Sequence, residues 1–531
     1  MRLIKSCMAA AVAAAALITP TAQAGGFEIP GAGAADLGRG GAWYAKSDTA
    51  LALRYNPAAL ARMTSMTMVD VNASLLFYDS CFERSGTYDE HGYGGDVGGA
   101  PGSSGSVNTR FPNGPGVAPV GGIDSFNPYH YRGVENPRVC NQTGPGPVPQ
   151  LAFAMRLPKH EKLAISVGIL APNARGAQRY GNSDGVVETG NPDHPLAPSP
   201  TRYIATQVGN LQVFPTIGVA YALHPRLNVG VAFGWGITVV DFASATQAFG
   251  GNENFNDDIR THLKAVDGFV PRINLSVDAA PVDGLRVMAG FQWTQSVDTH
   301  GKLTLEPHYY MSDADREVFG ARPTVLDHTR LRAGQASVLS FGVNYGLPRK
   351  GGVAGEIADG LGTQVFDVEL SFNYDLHGRM DSYRVNPGAK DGLPPVVVYG
   401  AEIEPPASIE IPKNWKNQYV FRLGGDVNIV PGVFALRAGT WYESSGITPG
   451  YAGLDFYLPR RIGATAGATI RIQRFDLTLG YARVFYDDTD YRESGGLVRG
   501  NAGTGEATVG NNGLIQAKMN IGSIGLRYHF K

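Results

Sequence analysis

The chain is short of cysteine, of charge and of long apolar runs. Three cysteines in 531 residues cannot build the dense disulfide framework of a small secreted module. No Cys/His spacing has zinc-ligand form, and the eleven histidines are scattered without an H-E-x-x-H pair. Charged residues are only 17% of the chain and the formal net charge is −2, so there is no basic excess of the kind that grips nucleic acid. Beyond the N-terminus, no apolar run approaches the ~20 residues of a transmembrane helix. Mean hydropathy is −0.12, which suits neither a disordered segment nor a bundle of membrane helices. What is plentiful is glycine, at 70 residues, with 34 prolines. Such a chain makes many turns and few long helices.

The N-terminus reads as a secretory leader, residues 1–24. Arg2 and Lys5 form a positive start, Met8–Ile18 is a short alanine-rich apolar run, and Pro20 breaks it. Ala22-Gln23-Ala24 then supplies small residues for cleavage before Gly25. Cys7 precedes the apolar run, which argues against a lipid anchor. Removing Arg2 and Lys5 takes the net charge from −2 to about −4. Two cysteines remain, Cys81 and Cys140, both in one Gly/Pro-rich stretch. In an exported protein a disulfide between them is the natural reading, the alternative being two thiols.

Period-two alternation dominates the rest. Tyr419, Phe421, Leu423, Val427 and Ile429 share one face, and Arg422, Gly424, Asp426 and Asn428 the other. Phe366, Val368, Leu370, Phe372, Tyr374 and Leu376 alternate in the same way with Asp367, Glu369, Ser371, Asn373 and Asp375. One wholly apolar face at period two is a half-buried strand. The same test predicts strands near 66–79, 150–157, 161–171, 211–222, 226–241, 268–279 and 284–298. It predicts seven more near 335–347, 363–377, 415–430, 432–443, 457–472, 473–486 and 514–530. That makes an all-β chain of fourteen strands, an even number and each about long enough to cross a bilayer at a tilt.

The connections alternate in length. Short ones are Pro158-Lys159-His160, His224-Pro225, Pro281-Val282-Asp283 and Pro431, with almost nothing between the twelfth and thirteenth strands. Long ones are 80–149, 172–210, 242–267, 299–334, 378–414, 444–456 and 487–513. Short turns on one side and long loops on the other are the asymmetry of an antiparallel transmembrane β-barrel. Pro348–Gly362 is the exception on the short side. A soluble β-sandwich need not alternate its connections, and would carry more Lys and Glu on its outer faces. Trp235, Trp293, Tyr345, Tyr374, Trp441 and Tyr481 sit toward strand ends and are expected to form interfacial girdles. The last strand, with Ile524, Leu526, Tyr528 and Phe530 on one face, resembles the signal read by the outer-membrane assembly machinery, although Lys531 follows the phenylalanine.

Residues 25–65 are different. They are too polar to face lipid and carry a weak helical patch around Ala45–Leu53. Irregular backbone at membrane depth must be buried in protein or line water, so a plug inside the barrel is expected here. Within it, Gly25-Gly26-Phe27, Leu37-Gly38-Arg39-Gly40 and Asn56-Pro57-Ala58 resemble the N-terminal hatch of the FadL family of outer-membrane transporters. That family takes up long-chain fatty acids and aromatic hydrocarbons. Ile411-Pro412-Lys413-Asn414-Trp415-Lys416-Asn417 resembles the family's entry into a late strand.

The resemblance implies loop capture of a hydrophobic ligand, an internal pocket and lateral release through a gap at a kinked third strand. Asn56, Pro57 and Ala58 would then sit at the lateral opening and Phe27 near the pocket. Gly168, Pro172 and Asn173 are candidates for the kink, Pro172 equally for the end of the strand. The 80–149 loop is far longer than the family's norm. A carboxylate ligand needs a cationic or hydrogen-bonding partner. Arg272, Arg286, Arg422 and Arg437 fall on inward faces, where pairing with Asp278, Asp426 or Glu443 is the plainer role for each. No metal, cofactor or nucleic-acid partner is expected; the expected surroundings are the outer membrane and its lipopolysaccharide, with the chain a monomer.

Lesser signals carry little. Gly181-Asn182-Ser183-Asp184-Gly185 matches the nucleophile-elbow pattern but lies in a loop with no helix after it. Asp487, Asp488 and Asp490 could bridge divalent cations or simply face water, while Glu90, His91 and Asp96 share a loop and are expected only to face water. A general hydrophilic porin would lack a plug. An outer-membrane enzyme would need a Ser/His pair that the strands do not offer.

Overall fold

The computed structural model describes residues 31, 33–63, 67–88, 134–172, 177–192, 194–247, 258–311, 313–349, 360–379, 381–492, 498–500 and 507–530. The leader, Phe27, Asn173, Glu90, His91 and Asp96 lie outside them. Fourteen strands form a closed antiparallel barrel. They are β1 (Thr67–Arg84), β2 (Gly146–Leu157), β3 (His160–Leu170), β4 (Gln207–His224), β5 (Leu227–Gln247), β6 (Asp258–Ala279) and β7 (Leu285–Thr294). They continue with β8 (Val338–Pro348), β9 (Gln364–Asp375), β10 (Gln418–Val430), β11 (Phe434–Glu443), β12 (Arg461–Ile472), β13 (Phe475–Tyr486) and β14 (Gly513–His529). Each pairs with the next, and β14 closes on β1 in unbroken register from Met68↔His529 to Arg84↔Gly513. Every one of the expected strands overlaps one of these.

Alternation now has a physical meaning. On β9, Leu370 is 56% exposed while its neighbours Glu369 and Ser371 are 0% and 1% exposed. Phe341, Val343, Tyr345, Phe421 and Leu423 are exposed in the same way. A soluble monomer does not carry so continuous an apolar belt; hydrocarbon must cover it. Tyr345, Tyr481 and Trp235 lie on that outer surface. Trp441 corrects the girdle expectation: it is 2% exposed and points into the barrel. Its ring fills the space that a side chain at Gly463 would need.

On the long-loop side the wall extends past the strands read from the sequence. β7 is continued by Val297–Pro307, which pairs with the upper part of β6. Thr324–Ala333 leads into β8, Ser382–Asn386 follows β9, and Ile409–Pro412 leads into β10. In this extension the alternation inverts: Leu303 and Leu305 are buried inward while Lys302 and Glu306 face out. Above the membrane, water replaces lipid outside, and the loops pack inside.

The bore is therefore divided along its axis. Its upper part is lined by Leu76, Phe82, Val148, Val420, Trp441, Val484, Ile515, Met519 and Ile521, all in one buried cluster with loop residues such as Tyr180, Tyr383, Leu454 and Tyr457. Burial lifts the Tyr180 and Tyr383 hydroxyls well above the ordinary phenol range. The lower part is lined by Asp70, Asn72, Ser74, Asp367, Glu369, Asp426, Asn428, Asp476 and Arg527. Into this polar half fits the segment 33–63. It contains α1 (Ala34–Leu37), α2 (Ala52–Tyr55) and a 3-10 helix, Pro57–Arg62, opened by its proline.

Candidate functional site

The inner segment is held by the wall's polar groups. The Glu369 carboxylate accepts hydrogen bonds from the backbone N–H groups of Tyr44 (2.5 Å), Ala45 (3.0 Å) and Lys46 (2.8 Å). Asp70 accepts from Ala50 N–H at 2.7 Å and Asn72 Oδ1 from Ala34 N–H at 2.9 Å. Arg39, fully buried, lies 2.6 Å from Asp367 and 2.8 Å from Asp426. Lys46 bonds the same Asp367. Buried charges need such partners, and losing one partner costs about 3–5 kcal/mol.

On the other side of the bore Asp278 gathers Arg62 Nε (3.1 Å), Arg286 (3.5 Å) and Asn56 Nδ2 (3.2 Å). Asn56 also donates to Tyr44 O at 2.8 Å, and Ala58 N–H donates to Ser276 Oγ at 2.9 Å. Contact is close enough to require glycine in the wall. A Cβ at Gly230 would lie 2.2 Å from Ala58 N, and one at Gly218 would lie 2.4 Å from Leu53 Cδ1.

Beside this junction lies a second apolar cluster, separate from the upper one. Leu51, Leu60 and Met63 of the inner segment meet Met68, Ala152, Ala154, Ala164, Leu170, Phe214 and Ala220 of β1 to β4. The wall here is built of small inward residues. At its edge the Phe214 ring lies under the Arg272 guanidinium, 3.9 Å from centroid to Cζ. Arg272 Nε donates to Thr294 Oγ1 at 3.0 Å.

The wall weakens at the same level. The β4–β5 ladder pairs Val213 with Ile237 and resumes at Thr216↔Gly234, skipping Phe214 and Pro215. The β5–β6 ladder is irregular between Asp267 and Val270, and Pro271 sits opposite Trp235. Pro215 has no N–H to give where the β4–β5 ladder is skipped, and Pro271 has none on its β7 side, where its carbonyl accepts from Gln295 N–H at 2.9 Å. Trp235 itself is 51% exposed and donates to Gly268 O at 2.7 Å.

The third strand does not break where a kink was expected. Gly168 pairs with Ala152 on one side and Thr216 on the other, and Leu53 packs against it. Pro172 lies beyond the last strand residue, Leu170. Asn56, Pro57 and Ala58 pack chiefly on β4, β5 and β6. Of the four arginines, Arg272 borders the apolar cluster between the inner segment and β1 to β4. Arg286 meets Asp278, Arg437 lies 3.5 Å from Asp426, and Arg422 bonds Asn373 and covers the Tyr44 ring at 5.6 Å. Arg437 also lines a charged cleft beneath the inner segment with Lys46, Asp476 and Arg527. Pro215 and Pro271 fall inside the predicted strands 211–222 and 268–279, and a proline inside a central strand is itself a sign of an interrupted ladder.

Elsewhere, Cys81 and Cys140 face each other in register and are joined by a disulfide of 2.05 Å. Ser183 lies in a turn closed by Gly185 N–H on Asn182 O, and a strand, not a helix, follows. Asp487 is clasped by Arg460 and Asp490 by Arg492, while Gln516 donates to Asp488.

No family model and no curated protein matches the sequence. Solved structures match the fold. A Pseudomonas aeruginosa FadL homologue superposes with a TM-score of 0.65 over 96% of this chain and 100% of that one, at 13% identity. The P. putida toluene transporter TodX gives 0.58 over 95% and 99%, at 12% identity. The Ralstonia pickettii toluene transporter TbuX gives 0.58 over 95% and 100%, at 13% identity. What is shared at such identities is architecture, and the chain accordingly has the FadL-type fold, a closed fourteen-stranded β-barrel of the outer-membrane kind.

Proposed function

We propose that the protein takes up hydrophobic molecules across the outer membrane, long-chain fatty acids being its substrates. In this reading residues 1–24 are a removed leader and 25–65 are the hatch. The observation that carries it is the axial division of the bore. A porin needs a wet lumen, whereas here the upper interior is apolar and the polar half is occupied by residues 33–63. Ligand is gathered by the long loops, passes to the apolar cluster between the hatch and β1 to β4, and presents its carboxylate to Arg272. It leaves sideways into the membrane at the interrupted ladder around Pro215, one strand beyond the expected kink. Asn56–Ala58 brace the hatch beside that exit.

A second substrate class, aromatic hydrocarbons, is favoured by the structural likeness to the toluene transporters. Uptake of labelled oleate and labelled toluene by a deletion strain carrying this chain separates the two. Oleate rescue supports the fatty-acid reading; toluene rescue alone transfers the assignment. Rescue by neither, with the barrel in the membrane, removes both.

A further inference from the structure

We infer that four side chains at the loop end of the bore form a further binding site, one that reads a hydroxyl group on a hydrophobic molecule. Gln418 of β10, Glu443 of β11, Arg461 of β12 and Tyr486 of β13 stand on four successive strands. Glu443 is the register partner of Arg461, and Arg461 of Tyr486. All four are buried within the barrel. The wall around them is apolar: Val420, Trp441 and Val484, on the next inward row, share one buried cluster with Tyr486.

The four do not satisfy one another. Arg461 Nη2 lies 2.8 Å from Glu443 Oε1. Gln418 Nε2 donates to Ser444 O at 2.7 Å and to Glu443 Oε1 at 3.4 Å. Three buried atoms are left with no hydrogen bond to any described residue: Gln418 Oε1, Arg461 Nε and the Tyr486 hydroxyl. The Arg461 guanidinium is 5.9 Å from the Tyr486 ring centroid. The backbone at Gly446 lies against the Gln418 amide, but its N–H donates to Leu458 O at 3.0 Å. An unpaired polar atom in an apolar interior is costly. Several converging in one apolar region are the usual form of a small-molecule site.

The chemistry of the three atoms names the group. Gln418 Oε1 only accepts, Arg461 Nε only donates, and the Tyr486 hydroxyl does either. A hydroxyl answers all of them, giving its hydrogen to Gln418 and its lone pairs to Arg461 and Tyr486. A carboxylate has no hydrogen for Gln418 and would lie beside the Glu443 charge. A bare hydrocarbon leaves all three unpaired. The connection 444–460, which covers Gln418 at Gly446, has no regular structure, and it is the element that moves aside for a ligand. This site rests on the uptake reading only in that a hydrophobic molecule must enter the bore; it is separate from the carboxylate station at Arg272.

The test is isothermal titration of the full-length mature protein in detergent with 1-decanol, decyl methyl ether and decanoate. The alcohol should bind roughly tenfold more tightly than the ether, which keeps the oxygen but has no hydrogen to donate. Tyr486→Phe and Gln418→Met should each shrink that ratio, leaving binding of the ether and of decanoate unchanged. Arg272→Gln should weaken decanoate and leave the ratio as it is. The unfolding temperature of Tyr486→Phe without ligand should not fall, because the hydroxyl it removes has no partner to lose. Equal binding of alcohol and ether by the parent, a ratio that both variants preserve, or a lowered unfolding temperature for Tyr486→Phe would each overturn this site and leave the uptake reading standing. Binding of none of the three probes would overturn both.

Discussion

The guanidinium of Arg272 on β6 covers the ring of Phe214 on β4, across the strand that lies between them. It can do so because β5 offers only glycine there: a Cβ at Gly236 would come within 2.6 Å of the Phe214 ring. An aromatic ring, capped by a cation, thus closes from inside the stretch of wall whose ladder is interrupted at Pro215. In the proposed exit route a movement of that ring and guanidinium would uncover it, with few backbone hydrogen bonds to break.

If ligand leaves there, tying the wall shut stops it. Pro215→Cys with Trp235→Cys places a disulfide across the skipped pairs, and oxidation should abolish oleate uptake until a reductant is added. The pair Val219→Cys with Val231→Cys, in the intact part of the same ladder, should leave uptake unchanged when oxidised. Uptake that survives both locks rules out this exit.

Arg272 should matter for a carboxylate and not for a hydrocarbon. Arg272→Gln is expected to weaken oleate retention by ~10- to 100-fold, the range of a charge-assisted hydrogen bond. Toluene binding should change little. Isothermal titration of both ligands decides it, and an equal loss for the two would reduce Arg272 to a packing residue.

Glu369→Ala removes the acceptor for three consecutive backbone N–H groups. The inner segment should be loosened by about 3 kcal/mol, while the barrel, whose ladders do not use this side chain, keeps its heat resistance. Amide hydrogen exchange at Tyr44–Lys46 should accelerate by roughly two orders of magnitude. Unchanged exchange would show that the contacts with Asp367 and Asp426 suffice.

Gly230→Val drives a side chain into the Pro57–Ala58 backbone, which cannot yield as a flexible side chain would. The hatch should shift, with faster exchange at residues 56–62 and a shorter ligand residence time. Normal residence would mean that this contact does not set the pocket.

How much of this could be read from the chain depends on where each residue sits. On β10 the apolar set Tyr419 to Ile429 faces lipid at every second position, so periodicity finds it. Val297–Pro307 is as regular, but its apolar residues face inward and its charged ones outward, and with glycine at 301 the run reads as a loop. β5 and β6 were expected to end near 241 and begin near 268, because the irregularity at Asp267–Val270 breaks the count. The hatch's anchors are beyond sequence reasoning altogether: Glu369 meets Tyr44 across 325 positions. Trp441 shows the converse error, since an aromatic near a strand end has the same pattern whether it faces lipid or fills the space over a glycine.

In the proposed route the bore is closed to water along its axis and ligand passes through the wall. Single-channel recording of the purified protein in planar bilayers tests this most directly. The wild type should show no steady ionic current, and removal of residues 33–63 should produce a stable, large conductance. A steady large current through the intact protein would mean that the axis is open and would overturn the lateral route.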